Sequence, residues 1–307
     1  MRIVIAGGSG FLGRALTVAL TQDGHSVIIL SRGEASIPRS MRAPAVATWT
    51  PNGEVGAWAE ALEGAEAVVN LAGESIAEGR WTAAKKARVL ESRVLATRSL
   101  ARAIAHVSHK PRVFVSGSAV GFYGPLGDEV ATEERRNGSD FLAQVCAAWE
   151  EEAAAADSAM TRVACIRTGL VLDARGGALP RILLPFRFGA GGRLGSGRQY
   201  WPWIHVDDWV RLVRFTIDTP GVVGPVNVTA PNPVTNAEFT RALGRVLKRP
   251  AFMPAPAFAL RLALGEMADA LLLAGQRAVP VKAERLGFVF TYREVSDALQ
   301  ALLPSRR

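Results

Sequence analysis

The chain reads as an α/β protein: a doubly wound parallel sheet with a smaller, mostly helical C-terminal region on the substrate side. Three observations predict this. Short apolar runs alternate with longer segments of helical spacing, the pattern of strand–helix–strand units that wind a parallel sheet on both faces. The first apolar run leads straight into a glycine-rich turn and then a helix. The alternation stops after residue 172, where glycines take over. At 307 residues, 49% hydrophobic and 21% charged, the chain can bury one large core and carry an appendage.

Taken in order, strands are expected at 2–6, 27–30, 45–48, 67–70, 112–116, 162–168 and 226–228. Between them, Leu12, Leu16 and Leu20 recur at helical spacing. A longer helix is marked by Val89, Val94, Leu95, Leu100 and Ile104. Residues 173–203 hold many glycines, including "GAGGRLGSG" at 189–197. Loops of that length inside a compact domain are usually functional or flexible, and these arise beyond the C-terminal ends of late strands, where ligands bind in such sheets. The prolines of "RPAFMPAPAF" mark a further boundary near 250. The expected division is 1–172 as a cofactor-binding domain, with the strand near 226–228 returning to its sheet. Residues 173–249 then supply substrate-side loops and a helix, and 250–307 a small helical C-terminal domain.

The formal charge is +8, from 36 Lys and Arg against 28 Asp and Glu. The basic residues form no compact cluster interleaved with aromatics, so nucleic acid is not an expected partner. An anionic cofactor or substrate accounts better for the arginines. Cys146 and Cys165 sit in apolar segments and read as buried thiols in a reducing compartment. The four histidines have no metal-ligand spacing, and no metal is expected. The chain begins directly with a strand, without a signal-like segment. The apolar stretch 256–275 is interrupted by Arg261, Glu266 and Asp269, which argues against a membrane span. A cytoplasmic protein, monomer or homodimer, is the expectation.

"VIAGGSGFLGRAL" (4–16) places Gly7, Gly10 and Gly13 directly after a strand and at the start of a helix. Glycines let the backbone turn sharply and approach a pyrophosphate, whose charge then meets the helix N-terminus. Strand, turn, helix and next strand have the order and spacing of a Rossmann dinucleotide site. The next strand ends in Ser31 and Arg32, where an acidic residue would bind the ribose of NAD. Arginine pairs a 2′-phosphate by a charge-assisted fork, so the expected cofactor is NADP(H).

On these residues, and on "GGSGFLG" (7–13), "VVNLAG" (68–73), "VFVSGSAVGFYG" (113–124) and "WIHVDD" (203–208), the chain resembles the extended short-chain dehydrogenase/reductases. "GRWTAAKKARVLESRV", "GSGRQYWPWIHVDD" and "FALRLALGEMADALLLAGQRAVP" resemble an atypical branch, the bacterial "epimerase family" proteins that end in a C-terminal domain of unknown function. The resemblance implies that Phe11 and Leu12 belong to the cofactor loop. It implies that Leu71, Ala72 and Gly73 line the cofactor, that Arg93 stands near its pyrophosphate or ribose, and that Val171 passes its nicotinamide end. It makes Ser118 the group that binds a substrate carbonyl or hydroxyl, with Ser116 as its rival.

The superfamily's Tyr-x-x-x-Lys pair should fall in "DFLAQVCAAWE", and neither register supplies it: the positions hold Phe141 and Val145, or Leu142 and Cys146. Tyr123 is the candidate substitute acid, and Glu74 a second ionisable group near the site. The Arg-Asp pair typical of nucleotide-sugar epimerases is replaced by Trp201 and Pro202, so Trp201 and Trp203 suggest a flatter, more apolar substrate pocket. His205 is expected to support the helix start at Asp207 and Asp208. The resulting expectation is an NADP(H)-binding oxidoreductase acting by hydride transfer on an unidentified small molecule. The alternative is a non-catalytic NADP(H)-binding sensor or scaffold, and nucleotide-sugar epimerisation is disfavoured.

Overall fold

The computed structural model describes residues 1–33 and 44–303. Seven strands form one sheet: β1 (Arg2–Ala6), β2 (Ser26–Ser31), β3 (Ala45–Thr48), β4 (Ala67–Asn70), β5 (Val113–Ala119), β6 (Arg162–Thr168) and β7 (Gly224–Val228). Their order is β7-β6-β5-β4-β1-β2-β3, and every pairing is parallel. The strand order reverses between β1 and β4, and a crevice opens beyond the carboxyl ends at such a reversal.

Alternate residues of each strand serve opposite faces. Ile3, Ile5, Val27 and Ile29 pack against Leu16 and Leu20 of α1 (Phe11–Gln22) and Trp209, Leu212 and Val213 of a later helix. Val4, Ala6, Leu30, Val68 and Phe114 pack on the other face against Ala96, Leu100 and Ile104 of α2 (Ala83–His106). Both faces being covered explains the near-continuous apolar runs in the sequence. Side chains set the helix starts. Thr82 caps α2, Asp140 caps α3 (Phe141–Ala154), and each accepts a backbone N–H of the first turn.

Past β6 the chain builds a second layer. Residues 170–173 pair with 203–205 and with 176–177. Helix α4 (Leu179–Arg187) follows, then α5 (Val206–Asp218), which packs under the sheet, and α6 (Asn236–Leu247) with a complete Thr235–Glu238 capping box. Leu172, Leu183, Phe186, Trp201, Trp203, Phe239 and Leu243 make this layer's core.

The segment after 250 has no apolar core of its own among the described residues. Val295, Ala298 and Leu299 of its last helix close the second layer, while Ala283, Phe288 and Phe290 join the core under the sheet. Short amphipathic helices bury one face only against a larger neighbour. These helices accordingly bury apolar faces against the rest of the chain, while Arg261 pairs with Asp269 inside the segment. Among the described residues no helix is long and apolar enough to cross a membrane.

Candidate functional site: a nucleotide cradle beside a buried Ser–Glu–Arg network

The turn after β1 is closed by backbone alone. Gly7 has φ +77°, and a Cβ there would lie 2.7 Å from the carbonyl carbon of Leu71. A Cβ on Gly13 would lie 2.2 Å from the Gly7 oxygen. Gly10 caps α1 without a side chain, and the helix has no acidic residue in its first turn. The N–H groups that open α1 therefore have no side-chain acceptor, and the positive end of the helix faces the turn. Donor set and shape fit a pyrophosphate. Phe11 lies against Gly176 and Gly177, where any Cβ would strike its ring at 2.5–2.8 Å, and Leu12 packs on the core. Ser31, half-buried, ends β2, and the exposed Arg32 follows it.

At the end of β4, Asn70 donates to Thr97 Oγ1 (2.8 Å) and accepts from the Ala72 N–H (3.1 Å). The Leu71 N–H donates to the Ala6 carbonyl at 2.8 Å. This turn leads Gly73 past Arg93, whose guanidinium carbon would stand 3.1 Å from an added Cβ. Arg93 Nη1 donates to the carbonyls of Glu74 (3.1 Å) and Val89 (3.0 Å), and the group lies 5.2 Å from the ring centre of Trp149. Its other nitrogens have no acceptor among the described residues. Burial lowers its pKa from the ordinary arginine value, with Cys146 and Glu74 pulling the other way. Glu74 has a structural role: it accepts from Lys85 (2.6 Å) and Arg88 (3.3 Å), and the Lys85 hydrogen bond leads in holding its carboxyl below the usual range.

Ser118, near the end of β5, donates to Glu150 Oε1 at 2.6 Å. Arg167 of β6 forks Glu150, with Nε on Oε1 and Nη2 on Oε2, both at 2.8 Å. Its remaining nitrogen donates to Tyr123 (3.1 Å) and to the Glu133 carbonyl (3.3 Å), and the guanidinium covers Phe122 at 3.5 Å. Burial works against the Arg167 charge, but the Glu150 pair outweighs it and raises the pKa above the ordinary value.

Tyr123, expected as a substitute acid, joins this network. It is 1% exposed, its hydroxyl proton is committed to Asn227 Oδ1 at 2.6 Å, and burial raises its pKa further. Ser116 is fully buried with only a long 3.4 Å contact to the Gly117 carbonyl. On α3, Leu142 lies against Gly121, and Cys146 lies against Ser118 and the Ala119 backbone. Burial pushes the Cys146 thiol up to about 11, so it is neutral and carries no proton chemistry at physiological pH.

On the substrate side the expected aromatic wall is not formed by Trp203. That ring is fully buried, and its indole N–H donates to the Asn232 carbonyl at 3.0 Å. Trp201 is 8% exposed and packs on Phe239 with ring centres 5.2 Å apart. Both are core residues of the second layer, Trp201 paired with Val234 and Trp203 with Leu170. Val171 pairs with Ile204 and is buried in the core under the sheet. Arg187, Arg193 and Arg198 are exposed and do not gather into one ion-pair cluster among the described residues. His205 caps α5, accepting from the Asp207 N–H at 3.0 Å, and stacks on Tyr292. A cavity of about 640 Å³ lined by Arg241, Arg245, Lys248 and Arg249 shares no residue with the strand ends.

Glu150 and Arg167 are the functional candidates that sequence reasoning missed. Arg167 had a signal: an arginine inside the apolar run "VACIRTGLV" must bring a partner with it.

A parallel sheet whose first strand enters a closed glycine turn and an uncapped helix, with the neighbouring strand end fixed alongside, defines the class: a Rossmann dinucleotide-binding protein. The chain belongs to the NAD dependent epimerase/dehydratase family, whose pattern matches residues 3–228, and a domain of unknown function (DUF1731) matches 255–302. It is 44% identical to an "epimerase family protein" of Mycobacterium tuberculosis over 97% of this chain and 96% of that one. It is 40% identical to the epimerase family protein YfhF of Bacillus subtilis, over 100% and 99%. The human epimerase family protein SDR39U1 (isoform 2), crystallised with NADPH, superposes with a TM-score of 0.90 at 34% identity and covers 100% of both chains.

Proposed function

We propose that this protein binds NADP(H) and is an oxidoreductase of the atypical extended short-chain dehydrogenase/reductase type, acting on a small molecule. The observation that carries the reading is the cradle: an uncapped α1 enclosed by Gly7 and Gly13, with Arg32 rather than a carboxylate at the end of β2. The human relative crystallised with NADPH supports it.

In this reading α1 and its glycine turn hold the pyrophosphate, Ser31 and Arg32 the 2′-phosphate, and Arg93 the ribose-phosphate edge beside Gly73. The nicotinamide supplies hydride exchange. Ser118 meets the substrate oxygen. Residues 1–172 with β7 serve the cofactor, and 173–249 shape the substrate side. Two buried free thiols suit a reducing, cytoplasmic setting.

The second reading, a sensor that binds NADP(H) without turnover, is favoured by one observation: Leu142 and Cys146 hold the faces where a tyrosine and a lysine would act. Fluorescence titration tests the cofactor claim. NADPH should bind more than tenfold tighter than NADH, since a lost charge-assisted pair costs about 2 kcal/mol. Arg32→Ala should remove most of that preference, and equal affinities in the unmutated protein would refute the claim. Nucleotide sugars should not be epimerised, and epimerisation at an ordinary enzymatic rate of ~10 per second would overturn the oxidoreductase reading.

A further inference from the structure

Resting on that reading, we infer that Ser118 faces the substrate as a hydrogen-bond acceptor and that Glu150 takes the proton behind it. The site is thereby built for oxidation of an alcohol by NADP⁺.

A serine hydroxyl has one proton and two lone pairs. Glu150 receives three donors: Ser118 at 2.6 Å and two arms of Arg167 at 2.8 Å each. A guanidinium only donates, so its fork takes a lone pair of each Glu150 oxygen, and Oε1 also accepts from Ser118. The proton between Ser118 and Glu150 therefore belongs to Ser118 and points away from the substrate. What Ser118 offers the cleft is a lone pair. An alcohol O–H matches it, whereas a carbonyl oxygen would meet lone pair against lone pair.

Proton and hydride then leave the alcohol in balance. Its O–H proton passes to Ser118 Oγ while the Ser118 proton passes to Glu150 Oε1. A bound NADP⁺ would take the hydride from the same carbon, so that the alcohol would leave as a carbonyl compound, the cofactor as NADPH and the proton on Glu150. The side chain of Glu150 is 14% exposed, which gives the proton a way to solvent. Arg167 is a positioning residue: it turns the carboxylate toward Ser118 and reforms its full pair when the proton leaves.

The titratable groups around Glu150 are Cys146, Cys165, Tyr123 and Glu133. Burial holds Cys146 at about 11 and Cys165 at about 12, both neutral thiols. Tyr123 is raised above its ordinary value, chiefly by burial. Glu133 Oε1 is held by the backbone N–H groups of Asn227 and Lys282.

The test begins with NADP⁺ titration of the full chain, because failure to bind refutes the cofactor reading itself and not only the relay. With NADP⁺ bound, carbon-13 NMR of protein labelled at glutamate carboxyls, assigned with Glu150→Gln, reads the ionisation of Glu150 without turnover. Primary and secondary alcohols with NADP⁺, and their matching aldehydes and ketones with NADPH, are then followed by NADPH absorbance.

The expected result is a carboxylate signal at neutral pH and oxidation of at least one alcohol class. Ser118→Ala, which leaves the Arg167 pair intact, should lower kcat by ~10²-fold or more with NADP⁺ affinity unchanged. Glu150→Asp should restore part of the rate lost in Glu150→Gln. A protonated Glu150 at neutral pH overturns the inference. So do carbonyl reduction indifferent to Ser118→Ala, and tight NADP⁺ binding with no alcohol oxidised.

Discussion

Two glycines of the first turn separate a folding role from a binding role. At Gly13 an alanine methyl would sit 2.2 Å from the Gly7 oxygen and 2.6 Å from the Gly8 Cα. Both are backbone atoms, so the turn itself must open. Overpacking of this kind costs about 1–3 kcal/mol, which for a chain of this size lowers Tm by about 5 °C. Gly10 differs. Its φ of −74° and ψ of 177° suit any residue, and the sole close neighbour of an added methyl is the Gly7 oxygen at 3.3 Å. Alanine gains roughly 0.4–1 kcal/mol from the unfolded state, offset by its poorer capping, so Gly10→Ala should melt within a degree or two of the parent.

A pyrophosphate on the α1 N-terminus, however, would meet that methyl and lose at least one charge-assisted hydrogen bond. That loss is about 1.5–3 kcal/mol, or roughly 10- to 100-fold in affinity. Differential scanning fluorimetry and NADPH fluorescence titration on both variants check this. Gly13→Ala should lose stability and affinity together, and Gly10→Ala affinity alone. Parent-like NADPH binding by Gly10→Ala would remove the phosphate from the turn.

Two further outcomes follow from the geometry. Arg93→Ala should weaken NADP(H) binding by about tenfold or more while costing only ~1 kcal/mol of stability for its carbonyl contacts; an unchanged dissociation constant at matched Tm would make Arg93 purely structural. Burial holds His205 below its ordinary pKa of 6.5, against the pull of Asp207, Asp208 and Asp173. A depressed base binds fewer protons folded than unfolded, so its contribution is full above that ordinary value and is lost as pH falls through the folded one. Thermal melts from neutral to about pH 5 should therefore drop more steeply for the parent than for His205→Asn, which keeps a capping side chain, and parallel curves would refute this.

The sheet was legible because strands buried on both faces are the most apolar short runs in the chain. All seven expected strands form, with ends moved by up to three residues where residues such as Ser26, Ser31 and Ser118 extend the pairing. The glycine turn was legible for a related reason. Spacing of Gly7, Gly10 and Gly13 after a strand is a local property, and the contacts that require it are mostly within the turn. The aromatic pocket was not, because Trp201 and Trp203 look alike whether a strand faces a cleft or a core. Only the long-range pairings, Trp201 with Val234 and Trp203 with Leu170, decide it.

Glu150 shows where local reading ends. It stands in "AWEEEAA" beside two identical neighbours, and nothing in the string ranks them. Packing does: Glu151 is exposed, Glu152 pairs with Arg98 of α2, and Glu150 alone turns under β5 to Ser118. Leu142, Cys146 and Glu150 recur every four residues, so one face of α3 runs along the end of β5. The ionisable group on that face lies one turn beyond the position where a lysine was sought. Its cation comes from β6, as Arg167, while Arg93 of α2 lies over Trp149. A carboxylate on α3 paired from β6 reverses the expected charge order of α3, which is the physical reason to look for proton acceptance at Ser118 rather than proton donation from a tyrosine.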